Sequence, residues 1–176
     1  MIPELRLLQE QAVQLGVDRK AILLALTMGA GKTAVALTTA RRLRQQDPSL
    51  QVTVFCTNSL KYQWVAEIQK WDPGATSVVI DGDKKKRRRQ YVAAEGVDYT
   101  ILSYDMLIHD WREIITHVQY DMIVADEVTM IKGFNTKRSK KLKTLAKRAE
   151  VRIGLSGQPV ENRPEELFSI MEFVDP

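Results

Sequence analysis

Lys32 and Thr33 follow two glycines, Gly29 and Gly31, between an apolar run at 21–26 (AILLAL) and a helical pattern over 32–46. Glycine has no Cβ, so the backbone there can turn tightly and aim its N–H groups inward at phosphate oxygens. A helix opening near Lys32 adds the positive end of its dipole. Lys32 would then reach the β and γ phosphates of a nucleotide, and the Thr33 hydroxyl would ligate Mg²⁺. The strict phosphate-loop spacing wants a further glycine where this chain has Leu26, so the strand before and the helix after carry much of the reading. A second constellation lies about 95 residues on, where the apolar run YDMIVAD at 120–126 ends in Asp126 and Glu127. Strand C-terminal ends collect at one edge of a parallel sheet, which brings this pair beside the phosphate loop. Asp126 suits the holding of Mg²⁺ through water, and Glu127 suits orienting or deprotonating an attacking water.

The elements that must position these groups are read from alternation. Apolar runs at 21–26, 51–57, 76–80, 98–103, 120–126 and 151–156 are mostly rich in Val, Ile and Leu without polar alternation, as strands covered on both faces are. Helical patterns at 32–46, 60–71, 104–117, 136–149 and 164–173 lie between them. Strand–helix alternation implies βαβ units, right-handed crossovers and a three-layer α/β domain with a mainly parallel sheet. With 176 residues, the chain suits one such domain over 1–176.

Composition excludes several classes. A hydrophobic share of 44% with 27% charged residues is neither disordered nor collagenous, and a single cysteine, Cys56, cannot form an internal bridge. No run of about 18 apolar residues occurs and charge enters early in MIPELRLLQEQ, so no membrane or secretory signal is read and a cytoplasmic, DNA- or nucleoid-associated location is expected. Net charge is +4, but its distribution is uneven. Lys84 to Arg89 form an unbroken basic run, expected on a loop or first helical turn, and residues 132–152 carry nine basic groups against Glu150 alone. Such density is tolerated where a polyanion or open solvent receives it. Trp64, Trp71 and Trp111 read as packing residues, and His109 and His117, without a cysteine partner, as ordinary polar positions.

Taken in order, six blocks resemble the first, ATP-binding RecA-like lobe of the Swi/Snf family of DNA translocases, within helicase superfamily two. They are LRLLQ at 5–9, TMGAGKT at 27–33, CTNSLKYQWVAEIQKW at 56–71, ILSYDML at 101–107, ADEVTMIKGFNTKRSKKLKTL at 125–145 and LSGQPVENRPEELFSIMEFVDP at 155–176. The resemblance implies a RecA-like P-loop fold, ATP and Mg²⁺ as ligands, an adenine-reading role for Gln9, and a nucleotide loop formed by Met28, Gly29, Ala30, Gly31, Lys32 and Thr33. It also implies Lys32, Asp126 and Glu127 as catalytic groups, with Thr33 and Asp126 toward the metal. Double-stranded DNA is the implied partner, gripped through its phosphates without sequence reading by surfaces such as the helix over 136–149. A second RecA-like lobe, in cis or in trans, would complete the motor, because the chain ends about where the family's first lobe hands over and its cleft-crossing arginines are absent here.

Three departures from the family pattern fall on chemistry. Val128 and Thr129 follow the acidic pair where the family has Ala-His, Gln158 stands where threonine is usual, and Leu26 and Thr27 replace an acidic pair before Met28. With Lys32, Thr33, Asp126 and Glu127 retained, altered coupling is expected rather than a dead enzyme. The alternatives left open are a strand-separating helicase or restriction-enzyme motor lobe and a non-catalytic nucleotide- or DNA-binding regulator.

Overall fold

The computed structural model of the chain describes residues 2–158 and 164–176. The elements run α1 (Leu7–Arg19), β1 (Ala21–Ala25), α2 (Lys32–Gln46), β2 (Val52–Cys56), α3 (Lys61–Trp71), β3 (Ser77–Val79), α4 (Lys84–Ala93), β4 (Tyr99–Ser103), α5 (Met106–His109), α6 (Trp111–His117), β5 (Met122–Ala125), α7 (Lys137–Ala146), β6 (Val151–Ser156) and α8 (Pro164–Val174). Every strand pairing is parallel, in the order β1-β6-β5-β2-β4-β3. Of the closing block read from the sequence, residues 159–163 lie outside those described.

Period-two alternation divides the core. Val52, Val54, Ile101, Val124 and Ile153 point to one face, where they pack with Val13 of α1, Val35 and Leu37 of α2, and Trp64 and Ile68 of α3. Their neighbours Phe55, Leu102 and Ile123 point to the other, against Tyr91 of α4, Ile114 of α6, Leu142 of α7 and Phe173 of α8. The three layers follow, and β2, β4 and β5 are buried at every position. Cys56 lies wholly inside, where burial pushes its thiol up to about 12 and leaves it a small hydrophobe.

Local structure departs from expectation in two places. The basic run, expected on a loop or first helical turn, lies wholly inside α4; Asp83 caps that helix by accepting from the Lys86 N–H at 2.8 Å. The helix expected over 104–117 is broken at Asp110, which leaves the α region to turn its carboxylate inward. There Arg87 donates from Nε to Oδ2 at 2.6 Å and from Nη2 to Oδ1 at 2.8 Å, and the Tyr91 hydroxyl donates to Oδ2 at 3.1 Å. This pair ties α4 to the α5–α6 junction.

Burial pushes the Asp110 carboxyl up, but the Arg87 hydrogen bonds and charge, with Tyr91, hold it below the ordinary carboxylate value. A depressed acid contributes stability that is present above its unfolded pKa and is lost as pH falls toward the folded one. Arg87→Met should therefore cost about 3–5 kcal/mol at pH 7 by leaving Asp110 buried without its cation. Chemical unfolding followed against pH should show that cost shrinking as pH falls through the ordinary carboxylate range toward the lower value that Arg87 gives Asp110 in the folded parent.

Candidate functional site

β6 lies between β1 and β5, so the loops after β1 and β5 leave the sheet on either side of Ser156, the last residue of β6. The first loop continues the ladder for one residue, with the Leu26 N–H donating to the Ser156 carbonyl at 3.1 Å, and then turns. Gly29 and Gly31 sit at φ +77° and +85°, in the left-handed region that favours glycine. A Cβ at Gly31 would also meet the amide of Gln9, whose side chain would have to give way. Lys32 and Thr33 open α2, whose first turn carries no acid. Lys32 Nζ donates to the carbonyls of Leu26 at 2.8 Å and Thr27 at 3.2 Å, which places its charge across the loop mouth. Phosphate oxygens would accept from the same ammonium more strongly than these neutral carbonyls do. Met28 stands at the loop tip and is 92% exposed.

Gln9 joins the loop from α1. Its Oε1 accepts from the Arg6 N–H at 2.8 Å, closing the start of the helix, and its Nε2 donates to the Ala30 carbonyl at 2.8 Å. One lone pair and one N–H of the amide remain for a ligand. Its tie to the phosphate loop was not foreseen from the sequence.

On the far side of β6, the Asp126 N–H donates to the Phe55 carbonyl at 2.8 Å, holding the start of the acidic pair against β2. Asp126 Oδ2 accepts from the Trp64 indole at 2.9 Å. Burial pushes the Asp126 carboxyl above its ordinary value; the Trp64 and Glu127 N–H donors pull it down, the Glu127 charge pushes it up and Lys32 pulls it down. Thr33, Trp64 and Asp126 line one cavity of about 30 Å³. A hydroxyl and a carboxylate around a space of this size offer the hard oxygen ligands that Mg²⁺ takes, so the residues present fit the ion.

Glu127 has φ +49° and ψ +60°, a left-handed conformation that costs a non-glycine residue about 1–3 kcal/mol. Its carboxylate is held by the Thr129 hydroxyl, which donates to Oε1 at 2.7 Å, and lies 3.5 Å from the Ser156 hydroxyl. The Gln158 N–H donates to that Ser156 oxygen at 3.1 Å. Of the departures from the family pattern, Thr129 bonds the Glu127 side chain directly, whereas Gln158 reaches it only through its backbone N–H on the Ser156 hydroxyl. The Tyr104 hydroxyl donates to the Asp126 carbonyl at 2.9 Å, fastening the same corner to β4.

One expectation gains a second role and another needs correction. Trp64 packs as expected, but a buried indole N–H needs an acceptor, and here the acceptor is Asp126. The helix α7 presents fewer free cations than its sequence offers. Leu142, Leu145 and Ala146 dock as its apolar stripe, but Lys143 is buried with them and donates to Ser169 Oγ at 2.9 Å and Glu172 at 2.7 Å. Arg138 pairs with Asp105 at 2.5 Å and covers the Tyr104 ring, and Lys141 covers Trp111. Lys137, Lys140 and Lys147 remain exposed and without a partner among the described residues. Basic and aromatic residues that do not interleave along the chain therefore meet in space.

The profile of the SNF2-related domain matches residues 8–176. The chain is 31% identical over 152 residues to the human DNA annealing helicase and endonuclease ZRANB3, covering 85% of this chain and 14% of that protein. It is 28% identical over 164 residues to the human DNA repair and recombination protein RAD54B, covering 90% and 18%. The Sulfolobus solfataricus SWI2/SNF2 ATPase core in complex with dsDNA superposes with a TM-score of 0.86 at 29% identity, over 99% of this chain and 36% of that one. The chain thus spans about a sixth of these curated relatives and about a third of the solved core. No helix among the described residues is long and apolar enough to cross a membrane.

The Trp64–Asp126 bond has a pH signature. Asp126 binds its proton more readily folded than unfolded, so its contribution favours the fold at low pH and is withdrawn as pH rises past the usual carboxylate range. Deleting the donor deepens that withdrawal. Trp64→Phe should show a constant packing offset plus a further loss of about 1–3 kcal/mol that is small below about pH 4 and full at pH 8, measured by denaturant unfolding. A pH-independent difference would assign the whole effect to packing.

Proposed function

The chain belongs to the SNF2-related domain family, and from that premise we propose that it is the ATP-binding motor lobe of a DNA-dependent ATPase that tracks along double-stranded DNA. The observation that carries this reading is the convergence, around the end of β6, of Lys32 and Thr33 with Asp126 and Glu127. Gln9 offers its remaining lone pair and N–H to the adenine edge, and the Ala30 and Gly31 backbone turns beneath the phosphates. Lys32 exchanges the Leu26 and Thr27 carbonyls for β- and γ-phosphate oxygens. Thr33 and Asp126 would hold Mg²⁺, which when bound neutralises charge on the phosphates. Glu127, held in one orientation by Thr129, accepts a hydrogen bond from the water that attacks the γ phosphate and takes up its proton.

A second RecA-like lobe, in the same chain or in a partner, belongs to this proposal. It would supply the arginine that faces the γ phosphate, a contribution of about 10³ to 10⁵ in rate. The chain by itself is then expected to bind ATP far better than it hydrolyses it. For DNA, the exposed lysines of α7 favour contact with phosphates, which positions a protein on a duplex without reading its sequence. The retained loop lysine and acidic pair favour a working ATPase over a purely regulatory module.

Lys32→Ala should abolish ATP binding in calorimetry with the fold intact, and Glu127→Gln should bind ATP yet lose turnover. Equal ATP affinity in the Lys32 variant and the parent would overturn the assignment of the loop, and equal affinity for ATP and GTP in the parent would remove the adenine role from Gln9.

Duplexes of unrelated sequence should bind with similar affinity, and log K should fall with log salt at about 0.9 per phosphate engaged. Replacing Lys137, Lys140 and Lys147 by glutamine should lower that slope by about one per lost contact. An unchanged slope would move the DNA path off α7.

A further inference from the structure

A concavity of about 510 Å³ opens between α4 and the α5–α6 pair, lined by no residue of the phosphate loop or the acidic pair. One wall is a single helix face, on which Lys84, Arg87, Arg88 and Tyr91 recur at i, i+3, i+4 and i+7 of α4; opposite stand His109 at the end of α5 and Arg112, Glu113 and Thr116 of α6.

Floor and rim differ in how their charges are balanced. At the floor, Arg87 is committed to Asp110 through two hydrogen bonds and to the Gly82 carbonyl at 2.7 Å, while Tyr91 also donates to Asp110. Asp110 is 5% exposed, so the floor is rigid and near neutral. At the rim, Lys84 and Arg112 have no acidic partner among the described residues. Arg88 approaches Glu113 only at 3.8 Å, and that carboxylate is shared with His117 at 3.6 Å. Three permanent cations therefore face one shared acid.

This placement works against the helix that carries it. Lys84, Lys85 and Lys86 occupy the first turn of α4, where the dipole favours acids, and Lys84 and Arg88 are like charges one turn apart. The burial of Tyr91 and the Arg87–Asp110 pair already anchor α4, so packing does not call for the extra charge. Two guanidinium groups and an ammonium converging over a neutral floor match the geometry and charge of grouped phosphates.

We propose that the α4–α6 concavity is a phosphoanion-binding site distinct from the ATP cleft, in which Lys84, Arg88 and Arg112 grip at least two neighbouring phosphate groups. The Thr116 hydroxyl adds a neutral donor on the same wall. A free polyphosphate and adjacent phosphates of a nucleic-acid strand present this same chemistry.

The test uses the Lys32→Ala chain, in which the phosphate-loop cation is gone. Inorganic tripolyphosphate titrated into it at low salt should bind saturably with one-to-one stoichiometry. Adding Lys84→Gln with Arg112→Gln should weaken that binding at least tenfold, while Lys137→Gln with Lys140→Gln changes it less than twofold. Thermal unfolding verifies that each variant retains the fold. No saturable binding, or the same loss from both pairs of substitutions, overturns the site and leaves a diffuse basic field. A short DNA duplex forms the second arm. If it displaces tripolyphosphate, and the Lys84 and Arg112 substitutions lower its salt slope by about two, the site holds nucleic-acid phosphates; if it leaves tripolyphosphate bound, the site holds a free phosphoanion.

Discussion

The insertion of β6 between β1 and β5 is the constraint on which the cleft depends. Parallel pairing sends all six strands out of the sheet at one edge, and this order sets the loop of Gly29 and Gly31 on one side of Ser156 and the acidic pair on the other. The same register carries the turn that follows, because the Leu26 N–H extends the β1–β6 ladder by one bond before the chain departs.

Around that arrangement, charged groups are held by interactions that a ligand can displace or exploit. Lys32 rests on two neutral carbonyls, Asp126 is buried with an indole donor, and Glu127 occupies a strained backbone conformation with a threonine hydroxyl at its oxygen. Neutral acceptors hold a cation less strongly than phosphate does, which favours exchange on binding. Strain at Glu127 fits a residue whose direction matters more than its stability. Thr129, in the position of the family's histidine, acts on Glu127 itself and leaves the contact toward the closing segment to Ser156.

The basic surface is divided in a way that charge counting does not reveal. On α7, Arg138, Lys141 and Lys143 are drawn against Tyr104, Trp111 and Phe134, and Lys143 serves as a structural cation between α7 and α8. On α4, Arg87 is structural in the same sense, while Lys84 and Arg88 face the concavity. Cations near the core thus act as fasteners, and those farther out set the electrostatic field of the surface.

The strands, the α/β class and the loop from Gly29 to Thr33 were legible in the sequence because each rests on local physics: apolar runs for buried strands, glycines for left-handed turns, a helix start for anion binding. The link between Lys32 and Asp126 was legible only as a consequence of parallel topology. Tertiary structure alone decided that Gln9 bonds to Ala30, that Trp64 bonds to Asp126, that Thr129 bonds to Glu127, and that the helix over 104–117 breaks where Asp110 meets Arg87. Each of these is a polar group whose partner depends on which elements pack together. Residue type states that a buried donor or carboxylate must be satisfied, and the assembled layers determine which residue satisfies it.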